Sequence, residues 1–498
     1  MAKFKPYSME QGEMIPMYFG DLVEEDHLAR TIHDIVEQLD LSEITNQYMH
    51  QGEEAYHPKL LIKILFYGYT EGIFSSRKLE NAIHYVIPFR WLAAGNKPNH
   101  RTISDFRKNN LKALTGLFSQ IVQVAQELGH ISLGHVSIDG SKVKANASKH
   151  KAMSRGRMKK EMKRLEREIA ETLEIAQEQD ELEMDDDQAE TKHQGIQDRQ
   201  QRLETIKSAL KQLEERKPEA TSTTPEKDQS NFTDNDSRIM NTKTQGVIQG
   251  YNPQIAVDSD HGFIVGLKVS QNSSDQNQFE GVLSSVRDNT GTVPERLTAD
   301  AGYFSADNIQ QAEAYKVDAY IAATKEAKQT GNPYDKSNFS YDPDLETYIC
   351  PAGKKMELKK IKYRNNKKKA TQWIYECQAC LECPFQKNCV KAASKTGKRT
   401  MTRTEADPIR ESMRTKVQSD EGKDIYKQRK AIVEPVFGQI KECQGFRQFH
   451  LRGKEKVEGE FVLLALSYNL KKLHFVKHPK KPKPYRREKC VQNQQKAA

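Results

Sequence analysis

Residues 135–149 read HVSIDGSKVKANASK. Val136 and Ile138 alternate with Ser137 and Asp139, the period of a strand with one buried face. The alternation stops at Asp139. Gly140 follows, and beyond it come only small, polar and basic residues, among them Lys142 and Lys144. A carboxylate that ends a buried strand beside a basic run suits metal-dependent phosphodiester chemistry. The acid holds a divalent cation and the lysines hold the polyanion. Asp-Gly is equally a hairpin turn, so the stretch needs the rest of the chain to decide between the two.

Downstream, GVIQGYNPQIAVDSDHGFIVGLKVSQ (246–271) holds two alternating runs around Asp258 to Gly262 and predicts a β-hairpin. A helix is expected around Gln278 to Arg287. ERLTADAGYFS (295–305) then predicts a short strand ending in Asp300, a glycine turn and a helix from Ser305. DAYIAA (318–323) is the next short strand. This order implies a mixed α/β sheet flanked by helices, with acids at two strand ends meeting at one edge.

Upstream, residues 1–130 read as an all-α domain. Leu28, Ile32, Ile35, Val36 and Leu39 recur at helical spacing, and Pro58 suits a first helical turn. TISDFRKNNLKALTGLFSQIVQVAQELG predicts one long amphipathic helix capped by Thr102 or Ser104. Arg77, Lys78, Arg90, Arg101, Arg107 and Lys108 could dock on DNA or could be solvated charges.

Residues 131–149 open the catalytic domain, and 150–216 interrupt it. There Met158, Met162, Leu165, Ile169 and Leu173, then Leu203, Ile206, Leu210 and Leu213, form two narrow apolar seams. They predict an antiparallel helical hairpin, with the acids Asp185 to Asp187 as a solvated turn rather than a metal site. Residues 217–245 are a polar linker and 246–324 continue the catalytic domain. A basic, cysteine-rich insertion spans 325–420, catalytic helices 421–476, and a basic disordered tail 477–498.

The chain has 498 residues, 36% hydrophobic and 30% charged, with net charge +9 and seven cysteines. No run nears the ~18 apolar residues of a membrane span, and the N-terminus lacks the apolar core of a signal peptide. A soluble, cytoplasmic protein is expected. Its positive charge is clustered, as in KKMELKKIKYRNNKKK (354–369), which reads as a DNA-backbone contact. Five cysteines fall between Cys350 and Cys389, too bunched for a disulfide framework. Cys350, Cys380, Cys383 and Cys389 are the candidate ligands of a structural Zn²⁺, with Cys377 left out. Reduced, unliganded cysteines are the alternative.

A third acid, Glu434, lies in DIYKQRKAIVEPVFGQIKECQ (424–444) among Lys427, Arg429, Lys430 and Lys441. On a helix, Lys427, Lys430, Glu434 and Lys441 share one stripe. Pro435 predicts a kink or a helix start there.

In these pieces, taken in order, the chain resembles bacterial insertion-sequence transposases of the DDE type. They are YHPKLLIKILFYGYTEGIFSSRKLE, RTISDFRK, SIDGSKVKANAS, QGYNPQIAVD, LTADAGYF, the cysteine insertion, EPVFGQIK and FRQFHLRG. The resemblance implies a ribonuclease H-like catalytic domain with Asp139, Asp300 and Glu434 as its triad, holding two Mg²⁺ or Mn²⁺ ions. In part of this superfamily a tyrosine and an arginine precede the glutamate by two turns and one turn, and a lysine follows by two. Lys441 fits, Lys427 and Lys430 occupy the other places, and Tyr426 and Arg429 each sit one residue early. Arg429, Lys430, Lys441, Lys142 and Lys144 are the expected DNA contacts.

The expected partners are double-stranded DNA, both terminal inverted repeats and target, and a second copy of the chain on that DNA. No membrane is expected, and the resemblance implies a bacterial, nucleoid-associated location. The implied activity is strand cleavage and strand transfer. A nuclease that does not join strands, or a non-catalytic DNA-binding derivative, are the competing readings. Three gathered acids without metal should repel, raising at least one carboxylate pKa.

Overall fold

The computed structural model describes residues 18–48, 55–179, 186–215, 225–242, 245–323, 333–334, 338–363, 371–390, 394 and 396–479, with backbone alone over 175–179, 186–196 and at 225. The side chains of the acidic turn, the second half of the basic run (364–369) and the tail beyond 479 lie outside these residues. The chain forms two compact units, one of residues 131–437 and one of 1–130 with 438–498. The segment 421–476 is thus divided at Gly438.

The larger unit is built on a seven-stranded sheet. Its strands are β1 (His135–Gly140), β2 (Val143–Lys144), β3 (Arg238–Thr242), β4 (Gly246–Asp258), β5 (Ile264–Ser270), β6 (Arg296–Ala299) and β7 (Asp318–Ile321). The long β4 pairs antiparallel with β2 and β3 along its first half, and with β1 and β5 along its second. On its other side β1 pairs parallel with β6, and β6 parallel with β7. The five-strand order β5-β4-β1-β6-β7 is that of a ribonuclease H-like sheet, and the mixed α/β class read from the sequence is the class observed.

Strand β1 is buried on both faces, not one. Val136 and Ile138 are fully buried, but so is Ser137, and His135 nearly so. A central strand with parallel pairing is covered on both sides. The polar atoms this buries must find partners. Ser137 Oγ lies 2.6 Å and His135 Nε2 3.1 Å from Thr298 Oγ1 on β6.

Between β2 and β3 run the helices Arg155–Gln179 and Asp186–Glu214, packed together as a hairpin. Its apolar base joins Met153, Met158, Leu165, Ile206 and Ala209. Beyond β7, five antiparallel strands between Ser340 and Thr404 form a small sheet in sequence order. Phe339, Tyr348, Met356, Tyr375, Cys377, Cys380 and Met401 are its core. Helix Asp420–Gly438 runs unbroken through Pro435 and passes into a π-helical turn, Gln439–Cys443. The proline neither starts nor ends it.

The other unit is helical. Helix Lys454–Lys477, buried along most of its length, packs on Pro58–Thr70 and Leu111–Glu127. The long helix expected from Thr102 is two, His100–Asn109 and Leu111–Glu127, and its cap is Asn99, whose Oδ1 accepts from Thr102 N at 2.8 Å. Arg107 is buried and donates to the Tyr69 hydroxyl at 3.1 Å and to Phe74 O at 2.8 Å. It supports the fold and is not available to dock on DNA. Arg77, Lys78, Arg101 and Lys108 are exposed.

Candidate active site

Strand alternation puts His135, Ser137 and Asp139 on one face of β1. The parallel register, Ser137 with Thr298 and Ile138 with Ala299, brings Asp300 level with Asp139. Both acids therefore stand at the carboxyl ends of neighbouring parallel strands, where the chain leaves the sheet. Asp300 caps the short turn Ala301–Tyr303, its Oδ1 accepting from Gly302 N at 2.8 Å. Asp139 Oδ1 accepts from Gly140 N at 2.9 Å.

Helix Asp420–Gly438 supplies the counter-charge. Ile425, Arg429, Val433 and Val436 form its buried side, with Tyr426 half-buried beside them. Arg429 Nη1 is 3.4 Å from Asp139 Oδ2, and the Tyr426 side chain is hydrogen-bonded to Arg429. Among the described residues, the buried Arg429 Nε and Nη1 have no hydrogen-bond acceptor. A buried guanidinium with unmet donors is well suited to an anion.

Burial raises the Asp139 carboxyl to about 6, with Asp300 adding to the rise and Arg429 opposing it. Two acids this close, in a partly dry setting, favour a cation that neutralises both. Their oxygens are hard donors of the kind a divalent cation takes. In donor chemistry, the pair fits such an ion.

Glu434 is not gathered with them. It is exposed, on the stripe of Lys427 and Lys430 and turned away from Arg429 on the helix. Among the described residues no three acids, histidines or cysteines are set closely enough to hold a metal. Of the expected phosphate contacts, Lys144 and Lys430 are exposed and Lys142 donates to Asn241 O at 2.7 Å. Lys441 lies half-buried in the π-helical turn of the other unit.

Sequence reasoning missed the residues behind the acids. Asn252 and Gln254 on β4 and Asp275 after β5 are hydrogen-bonded together, and Gln254 reaches Tyr303. The available signal was the pair of amides at alternate positions 252 and 254, which reads as a solvent face.

In the small sheet all five cysteines line one cavity, Cys377 included. Cys350 Sγ accepts from Lys354 N at 3.3 Å and Cys380 Sγ from Arg399 N at 3.4 Å. Gly353, at φ +72°, makes the first of these turns possible. Burial, then the neighbouring Cys380, pushes the Cys377 thiol up to about 12.

Residues 349–474 match the family described as "Transposase DDE domain", and residues 17–109 match "Transposase domain (DUF772)". No curated protein matches the chain. Among solved structures, a piggyBac transposase synaptic complex with hairpin DNA is similar at 10% identity and a TM-score of 0.29, over 96% of this chain and 77% of that one. No helix among the described residues is long and apolar enough to cross a membrane.

Proposed function

We propose that the chain is a DNA transposase of the DDE type, a family that implies dependence on a divalent metal, and that Asp139 and Asp300 are its metal-binding acids. What supports this is their position on adjacent parallel strand ends, with Arg429 against Asp139. They would hold Mg²⁺ or Mn²⁺, two ions in the full site, with Glu434 as third carboxylate. Bound there, the metal would make the attacking oxygen nucleophilic and stabilise the leaving one.

The remaining steps belong to the protein. Arg429 neutralises Asp139 until DNA arrives, and its unmet donors then take a phosphate oxygen. Tyr426 holds the guanidinium in place for that exchange. Lys430, Lys441, Lys142 and Lys144 add charge along the backbone path. Glu434 joins by side-chain rotation or by movement of its helix when DNA is bound.

The reading extends to a substrate and a state. The DNA would be the terminal inverted repeats of an insertion sequence, cleaved and joined to target DNA by two copies of the chain in a bacterial nucleoid. The small sheet would hold one structural Zn²⁺ through Cys350, Cys380, Cys383 and Cys389, which line one cavity, accept two N–H···S hydrogen bonds and would draw together around the ion.

The test is end cleavage by the purified full chain on DNA carrying the sequences that flank its gene. Asp139→Ala or Asp300→Ala should abolish cleavage and leave end binding within a few-fold. Cleavage by Glu434→Ala at near the wild-type rate would put the third ligand elsewhere.

A further inference from the structure

Behind the two acids lie polar side chains that do not face solvent. Gln254 and Tyr303 are fully buried and Asn252 is 1% exposed. Burying an amide and a phenol is unfavourable unless their hydrogen bonds are met, and here each is met by a residue next to an acid.

Gln254 stands opposite Gly140 in the pairing of β4 with β1. Its amide crosses Gly140 so closely that a Cβ there would lie 2.2 Å from Nε2. Only glycine can follow Asp139 in this arrangement. Gln254 Nε2 donates to Asp275 Oδ1 at 2.8 Å, and Asn252 Nδ2 donates to the same oxygen at 2.7 Å. Gln254 Oε1 accepts from the Tyr303 hydroxyl. The amide can point only this way, because a carboxylate accepts and does not donate.

Tyr303 closes the turn that Asp300 caps. Asn308 Nδ2 donates to both Tyr303 O and Gln276 O at 2.7 Å, which ties that turn to the loop carrying Asp275. At Gly302 a Cβ would stand 3.0 Å from Asp275 Oδ2 and from Asp300 Oδ1 alike. One amide thus spans from the backbone beside Asp139 to the turn beneath Asp300, and a carboxylate anchors it. Hydrogen bonds in such a chain polarise one another, and the buried chain is stiff.

We propose that Gln254, anchored by Asp275 and joined to Tyr303, is a positioning residue that fixes the spacing of Asp139 and Asp300 for a divalent cation. This rests on the reading of those two acids as its ligands. Without the brace their mutual repulsion would let the two strand ends relax apart.

The experiment uses the full chain with Tyr303→Phe and Asp275→Asn. Phe keeps the ring, and Asn keeps an acceptor for both amides. Mn²⁺ affinity is read from free Mn²⁺ by electron paramagnetic resonance, and end cleavage is measured in Mg²⁺ and in Mn²⁺. Loss of such outer partners weakens metal binding about tenfold or more. Each variant should raise the Mn²⁺ dissociation constant by about that factor. Each should also lose more cleavage in Mg²⁺ than in Mn²⁺, because Mg²⁺ demands stricter geometry. Unchanged Mn²⁺ affinity, or equal loss with both metals, overturns the proposal. If Tyr303→Phe does not fold, the half-buried Asp275→Asn decides. Asp139→Asn and Asp300→Asn are run alongside. If they too keep Mn²⁺ affinity, the ligand reading has failed. If only they lose it, the brace alone is refuted.

Discussion

Replacing Arg429 with methionine removes the guanidinium that faces Asp139 and keeps most of the side-chain volume. The pair is 3.4 Å apart, with side chains only 9% and 20% exposed. At an effective dielectric near 20, unit charges at that distance attract by about 5 kcal/mol before desolvation. Desolvation takes back a large part, and removing one partner of a buried pair costs about 3 kcal/mol. Arg429→Met should lower stability by about that much, and Asp139→Asn by clearly less, because burial already disfavours the charged form of that carboxyl. The double variant should lose less than their sum, with a coupling of about 2 kcal/mol. The chain has two tryptophans, Trp91 and Trp373. In a Trp91→Phe background, Trp373 fluorescence follows only the unit that holds the pair. Urea unfolding with EDTA would then give the four stabilities of the cycle. A coupling below about 0.5 kcal/mol would refute the claim that Arg429 serves Asp139 before metal binds.

Other outcomes are expected from the same structure. The Asp258 carboxyl is fully buried and raised to about 6 by burial. The folded state therefore keeps its proton where the unfolded chain has lost it. The resulting stability is complete below about pH 4 and is lost as pH rises through about 6, by roughly 3 kcal/mol. Asp258→Asn should flatten urea stability across that window, and an unchanged slope would show the group is solvated. Arg107→Met should lower the stability of the helical unit by about 3 kcal/mol, by stranding the Tyr69 hydroxyl and Phe74 O, yet leave the salt dependence of DNA binding as it was. A weaker salt dependence in a folded variant would mean that Arg107 reaches phosphate after all. Purified under reducing conditions, the chain should carry one zinc per molecule. Cys380→Ser should lose it, and metal analysis showing none in the wild type would end that assignment.

The two acids were legible because each ends a short alternating strand, and register does the rest. The double burial of β1 was not, because the helix over its polar face comes far along the chain and Ser137 and His135 look like surface residues. Arg429 was out of phase with the expected spacing, yet it is the cation that meets Asp139. Side-chain length absorbs a one-residue offset that a spacing rule cannot. Glu434 was implied by the resemblance, and on an unbroken helix it is turned away from Arg429. Arg107 read as a DNA contact or a solvated charge because amphipathic patterning cannot distinguish an exposed arginine from one that donates to buried oxygens. The Gln254 brace was hidden for a related reason. Its polar residues carry the period of a strand with a wet face, and only the partners reveal that the face is dry.

Site-directed oxidation offers the most direct test of where the metal sits. Fe²⁺ with ascorbate generates hydroxyl radicals at a divalent-metal site and cuts the backbone beside its ligands. The full chain bound to end DNA should be cut near residues 139 and 300, and near 434 if Glu434 joins them. Excess Mg²⁺ should suppress these cuts, and Asp139→Asn should remove them. Cuts at other positions, or cuts near 139 and 300 that persist in Asp139→Asn, would contradict the assignment of the site.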